Sequence, residues 1–260
     1  MQVKEKNIEG KIKEYDQFIK KVRKFFRERK FTEVPELVHT ITSSCEYDPN
    51  DMITCKKNGM IHGLPQSNLK WVQHLLHKFN HGGVFMMGTS YNKTNITPII
   101  DFAAYGTFED LLELLTDFCI HMGFNKNDII YHNPMDINIL KDSECLRFRD
   151  KKCMITTGLD KMYNTYFWSY KLVDRQYKIA SVLINGQQVI LGGERRISVS
   201  DMIYDVYTLD NGDYIDTLYQ LFTKKRVDDE LMKYSNVKLV IRFGATINLQ
   251  RLFDTINEKV

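Results

Sequence analysis

Residues 84–102, VFMMGTSYNKTNITPIIDF, read as a strand, a short polar turn and a second strand. Apolar residues fill both arms, and the break falls at Asn92-Lys93-Thr94-Asn95, where turn-forming side chains cluster. Upstream, Ile8, Ile12, Tyr15, Ile19, Val22 and Phe26 recur three or four apart among Lys, Arg and Glu. That spacing predicts an amphipathic helix running to about Lys30. Phe31-Thr32-Glu33-Val34 then alternates and meets Pro35, as a strand ending at a proline would. The polar stretch 43–63 reads as a long connection with one hairpin, and 68–79 as a second helix stopped at Asn80-His81-Gly82-Gly83.

Downstream, 108–122 is a third helix closed by Gly123. Strand-like runs follow at 129–131, 152–157, 163–171, 177–184, 188–191 and 238–243, with further helices expected at 199–209, 214–223 and 248–258. Hairpin-joined strands with helices gathered at the ends argue an α+β fold with a largely antiparallel sheet. No internal repeat or low-complexity tract interrupts it, and one domain over 1–260 is expected.

Composition narrows the function classes. The chain is 43% hydrophobic and 12% aromatic, enough for one substantial core. Its 36 basic and 33 acidic side chains leave a formal charge of only +3, so electrostatics alone name neither nucleic acid nor an anionic membrane as partner. Cys45, Cys55, Cys119, Cys145 and Cys153 are odd in number and form no Cys-x-x-Cys pair. A reducing, intracellular and cytoplasmic setting is expected, without a disulfide framework or thiolate zinc site. No run approaches the roughly 20 apolar residues of a membrane span.

Several local clusters take a plain structural reading. His74, His77 and His81 have the spacing of a one-sided metal site but read more simply as a solvated helix edge. Lys224-Lys225-Arg226 complements a helix C-terminus, and Asp210, Asp213 and Asp216 around Asn211-Gly212 lack the glutamate of a calcium loop. Tyr166, Phe167, Trp168 and Tyr170 read as sheet and core rather than a base-stacking platform. No metal site is expected.

Five segments carry a family resemblance, in order along the chain. FFRERKFTEVPEL at 25–37 is similar to the helix-into-strand of the class II aminoacyl-tRNA synthetase dimer interface. Leu64-Pro65-Gln66-Ser67 resembles the LPQS element of the aspartyl/asparaginyl branch, and VFMMGTSY at 84–91 the first strand of that class's ATP hairpin. INGQQV at 184–189, with Gly192-Gly193-Glu194-Arg195, resembles the strand pair that completes an aspartate-type pocket. GATINLQRL at 244–252 resembles the glycine-rich strand-to-helix element ending in arginine. The likeness is closest to short, stand-alone, asparagine-synthetase-like relatives without an anticodon-binding domain.

The resemblance implies a six-stranded, mainly antiparallel sheet flanked by helices, a homodimer, and activation of an amino acid with ATP and Mg²⁺. Joining a carboxylate to the α-phosphate requires cations that neutralise both anions. The hairpin arginine of the family falls on Asn92, the following acid on Thr94, and the adenine-stacking aromatic on Thr97. Lys93 keeps a charge beside the lost arginine, though strand alternation would turn it to the other face. The two metal-holding carboxylates fall on Ser181 and Gln188.

On the amino-acid side, Gln66 and Ser67 match the LPQS element, while the glutamine and lysine expected after it fall on Leu69 and Val72, with Lys70 nearby. Arg195 matches the arginine that reads a side-chain carboxylate, with Glu194 either beside it in the pocket or paired to it. Arg251 matches the closing arginine.

Losing one major transition-state group typically costs on the order of 10² in rate, and here several are lost together. The expectation is therefore a catalytically degenerate, homodimeric paralogue: a pseudoenzyme binding a small anionic or amino-acid ligand, a protein or nucleic acid, with no cofactor and no identifiable catalytic residue. The alternative is an ATP-dependent amino-acid-activating ligase of aspartate/asparagine type, using Lys93 and Arg251 in an altered nucleotide site with ATP and Mg²⁺. A third is a tRNA-facing accessory protein, disfavoured by the near-neutral charge.

Overall fold

A computed structural model of the chain describes residues 2–36, 51–78, 82–132, 153–160, 177–197 and 240–257. Among these, helix α1 (Gln2–Glu28) leads into β1 (Phe31–Glu33) through Lys30, whose φ of 61° makes the left-handed turn. A hairpin of β2 (Thr54–Lys57) and β3 (Met60–Gly63) turns at Asn58-Gly59, both at positive φ as a type I′ turn requires. Then come α2 (Leu69–Lys78), β4 (Gly83–Tyr91), β5 (Ile96–Tyr105) and α3 (Phe108–Met122). The remainder is β6 (Ile129–His132), β7 (Cys153–Asp160), β8 (Tyr177–Ile184), β9 (Gln187–Ile197), β10 (Val240–Asn248) and α4 (Leu249–Asn257).

Eight strands form one sheet in the order β1-β4-β5-β10-β9-β8-β7-β6. The six central strands are mutually antiparallel, and β1 and β6 extend the edges in parallel to β4 and β7. The expected α+β class and antiparallel core are therefore present, in a sheet two strands wider than expected. Both edge strands are only three or four residues long, which keeps their unpaired backbone short.

Strand alternation divides the core. Phe85, Ile100, Phe102, Phe243 and Ala245 face α1, α3 and α4 in the larger cluster, where Phe26 stacks on Phe85 at 4.9 Å and Phe25 meets Phe118 edge-on at 5.0 Å. Val84, Met86 and Ala103 point the other way and pack with Val34 beneath Val72 and Leu76 of α2. Helix α2 covers only one end of that second face, and the other end carries the cavity described below.

Local signals explain most boundaries. Thr107 and Asp110 form a reciprocal capping box at the start of α3, and Gly123 ends it at φ 113°. Asn185-Gly186, both at positive φ, join β8 to β9 in a type I′ turn. Several strands run past their expected ends, β5 to Tyr105 and β7 to Asp160 among them. β9 continues through Gly192-Gly193 and β10 through Gly244 to Asn248, because Gly192 pairs with Ala245 across the ladder at a separation that admits no side chain. Glycine weakens strand propensity locally, yet here it permits the pairing that extends the strand.

The expected strand at 163–171, the helices at 199–209 and 214–223, Lys224-Lys225-Arg226, the Asp210–Asn211-Gly212–Asp213 cluster and His81 lie outside the described residues. His74 and His77 fall within α2. Among the described residues no helix is long and apolar enough to cross a membrane.

Candidate functional site: a polar cavity over the central strands

The β4–β5 hairpin closes through Asn92 and Asn95, which exchange backbone hydrogen bonds of 2.9 and 3.2 Å around the two-residue loop Lys93-Thr94. It is held against the preceding connection: Tyr91 N–H donates to Pro65 O at 2.8 Å and Lys93 N–H to Asp51 O at 2.9 Å. Beyond the end of β1, the outer edge of β4 is covered by Glu36, whose carboxylate accepts from Thr89 N–H at 2.7 Å.

This arrangement frames a cavity of about 230 Å³. Ser90, Asn92, Asn95 and Thr97 line it from the hairpin, Gln66 and Ser67 from the segment entering α2, Gln188 and Leu191 from β9, and Thr246, Asn248 and Arg251 from β10 and α4. Nearly every polar group is neutral.

Beneath it lies Asp101, fully buried. Its carboxylate accepts from Asn68 N–H at 2.7 Å, from the Ser67 hydroxyl at 3.4 Å and from the Thr246 hydroxyl. Ser67 Oγ in turn accepts from Leu69 N–H at 3.0 Å. Asp101 and Ser67 thus satisfy the first amides of α2. The Asn68 carboxamide, positioned as the N-cap, is buried with neither polar atom bonded. Its Nδ2 and the Glu36 carboxylate lie 3.1 and 3.0 Å from where a Cβ on Gly88 would lie, so a side chain there would crowd both.

Hydrogen-bond direction is determined at two further places. Ser181 Oγ donates to the Ile190 carbonyl at 3.1 Å and therefore accepts from Gln188 Nε2, at 2.7 Å. Ser90 Oγ donates to the Gln66 carbonyl at 2.6 Å and accepts from Asn92 Nδ2 at 3.0 Å. At the rim, Asn248 Oδ1 caps α4 by accepting from Arg251 N–H at 2.8 Å, while the Arg251 guanidinium donates to Gln188 O at 2.9 Å.

The expected site residues divide. Gln66, Ser67 and Arg251 line one cavity, together with Asn92, Thr97 and Gln188. Lys93 does not: it occupies the exposed hairpin turn, so the loop and not strand alternation takes it away from the cavity. Glu194 is directed to α3, where its carboxylate accepts from Phe108 N–H at 2.5 Å. It is thereby a helix-capping group and not a cavity residue. Arg195 pairs through its backbone with Arg242 on β10. Asp101 and Ser90 were not singled out from sequence, although a lone acid inside the apolar strand ITPIIDFAAY was a usable signal for the first. Thr246 and Asn248, replacements in the glycine-rich element, both line the cavity.

The donor set does not suit Mg²⁺, which takes hard and preferably anionic oxygens. Ser181 and Gln188, at the two positions where the resemblance implies carboxylates, are bonded to each other and carry no charge. Among the described residues no group of three His, Cys, Asp or Glu side chains converges.

No family model matches the chain, and no curated protein sequence matches it. Solved structures do. Asparaginyl-tRNA synthetase from Pyrococcus horikoshii, complexed with asparaginyl-adenylate, superposes with a TM-score of 0.67 at 12% identity, over 94% of this chain and 64% of that one. The Entamoeba histolytica asparaginyl-tRNA synthetase, also complexed with asparaginyl-adenylate, gives 0.66 at 14% identity, over 94% and 63%. This chain therefore spans a little under two thirds of the length of those neighbours, and over that span it has the fold of a class II aminoacyl-tRNA synthetase.

Proposed function

We propose that this chain is a catalytically degenerate class II synthetase paralogue that acts as a homodimeric binding or assembly protein. The observation that carries the reading is the hydrogen bond between Gln188 and Ser181. Two positions that an adenylating enzyme of this kind would use to anchor Mg²⁺ instead close on each other as neutral groups. Arg251 is the only charged side chain on the described cavity lining, where a triphosphate and a carboxylate would demand several cations. Asn92, at the position of the hairpin arginine, is bonded to Ser90.

The dimer in this reading uses the end of α1 and β1. Within the chain, Arg23 and Arg27 pair with Glu33 at 3.0 and 2.7 Å and join β1 to the end of α1. Light scattering on the purified chain tests the dimer, with twice the monomer mass expected.

Catalysis is tested by pyrophosphate exchange with ATP, Mg²⁺ and each amino acid in turn. No amino-acid-dependent exchange is expected. Exchange that is abolished by Arg251→Ala would overturn the reading in favour of an amino-acid-activating ligase of aspartate/asparagine type.

A further inference from the structure

The hydrogen-bond chains around the cavity determine which atoms remain for a ligand. The Ile190 carbonyl can only accept, so the Ser181 hydroxyl spends its proton there and must accept from Gln188 Nε2. Gln188 is thereby oriented with Oε1 as its remaining group. By the same logic the Gln66 carbonyl takes the Ser90 proton, Ser90 accepts from Asn92 Nδ2, and Asn92 Oδ1 remains. Near Gln188, at the start of α4, the order reverses. Asn248 Oδ1 is occupied by Arg251 N–H, so Asn248 Nδ2 remains as a donor. Thr97, on β5, adds a hydroxyl that both donates and accepts.

The cavity therefore presents fixed acceptors and fixed donors around a hydroxyl. Phosphates and carboxylates only accept, so Asn248 Nδ2 and the Arg251 guanidinium would meet them but the Gln188 and Asn92 oxygens would not. Ammonium groups, which only donate, would face the converse mismatch and the Arg251 charge. Hydroxyl groups do both. At about 230 Å³ the cavity is also smaller than the roughly 300–1,000 Å³ of ordinary ligand sites, which suits a compact molecule.

We infer that this cavity binds an uncharged polyol of monosaccharide size, held by Gln188, Asn92, Thr97 and Asn248 without a metal ion. The inference rests on the non-catalytic reading above and specifies its ligand.

Saturation-transfer NMR and calorimetry on the full chain test it, using D-ribose, D-glucose, myo-inositol and glycerol as neutral probes and ATP with Mg²⁺, AMP and aspartate as charged ones. At least one polyol is expected to bind, with affinity lowered about five- to tenfold by Thr97→Val and by Gln188→Met, each removing one hydrogen-bonding group. Thr97→Val keeps the side-chain shape, and its thermal midpoint provides the folding control. Binding of no polyol, binding unaltered in a folded Thr97→Val variant, or binding of the charged probes alone would each overturn the inference. Pyrophosphate exchange stays silent in all three cases if the non-catalytic reading holds, so the two failures are distinguished.

Discussion

Asp101 on β5 and Thr246 on β10 are register partners whose side chains meet by a hydrogen bond beneath the cavity floor, although 145 residues separate them in sequence. The same carboxylate holds the first turn of α2, so one buried acid joins two strands and a helix start. Removing it leaves Asn68 N–H, the Thr246 hydroxyl and the Ser67 hydroxyl without their acceptor in a dry environment. Asp101→Ala is expected to destabilise the chain by about 3–5 kcal/mol, because three buried donors lose their shared acceptor at once. Asp101→Asn, retaining the shape but turning an amide towards donors, is expected to cost about 1–3 kcal/mol. Urea denaturation of both variants checks the order, and equal stability to the parent would show that the carboxylate does not hold α2.

Gly192 is required by the approach of β9 to β10. A Cβ there would lie 2.3 Å from Ala245 Cβ and 2.5 Å from the Gly244 carbonyl oxygen. Neither atom can rotate away, so the strands must separate. Gly192→Ala is expected to lower stability by about 3 kcal/mol, the upper part of the overpacking range. Gly10, which has nothing within 4 Å of its added Cβ, provides the contrast. Gly10→Ala in the exposed face of α1 is expected to be neutral or stabilising by up to about 1 kcal/mol. Thermal or urea midpoints measure both.

Cysteine reactivity follows burial and pairing. The Cys119 thiol is pushed up by its hydrogen bond with Cys153 and by burial, so its thiolate is absent at ordinary pH. Cys55 on the β2–β3 hairpin is half-exposed. Under native conditions iodoacetamide is expected to modify Cys55 at least about a hundredfold faster than Cys119 or Cys153, and denaturant to abolish the difference. Peptide mass spectrometry over a time course reads each site separately.

Glu109, in the first turn of α3, has its carboxyl held below the ordinary value by its own backbone hydrogen bond, then by Lys178 and Thr107. A depressed folded-state value means that the unfolded chain binds the proton more readily. Its contribution is therefore present above the unfolded carboxylate range near pH 4 and is lost as pH falls through the folded value. Lys178→Met is expected to leave stability less steeply dependent on pH between about 5 and 3, because the ion pair at 3.3 Å is gone. Full exposure of Glu109 makes the effect salt-sensitive, so repeating the acid titration at high ionic strength is expected to shrink it.

What the sequence determined by itself was local. The three-and-four spacing of α1, Gly123 at the end of α3 and the strand–turn–strand pattern of 84–102 each act over a few residues, and each appears as an element where expected. Order and spacing of the five motif segments also led to the fold that the solved synthetases share. The tertiary structure decided which long-range partners those residues take. It brought Gln66, Ser67 and Arg251 to one cavity, turned Glu194 to α3, left Lys93 on the hairpin turn, and placed Asp101 under Thr246. It also extended β9 and β10 through glycines that local propensity reads as strand ends. The reason is physical: helix caps and turns are satisfied by neighbours in the chain, whereas a buried carboxylate or a side-chain amide takes whichever partner the packed sheet brings within hydrogen-bonding distance.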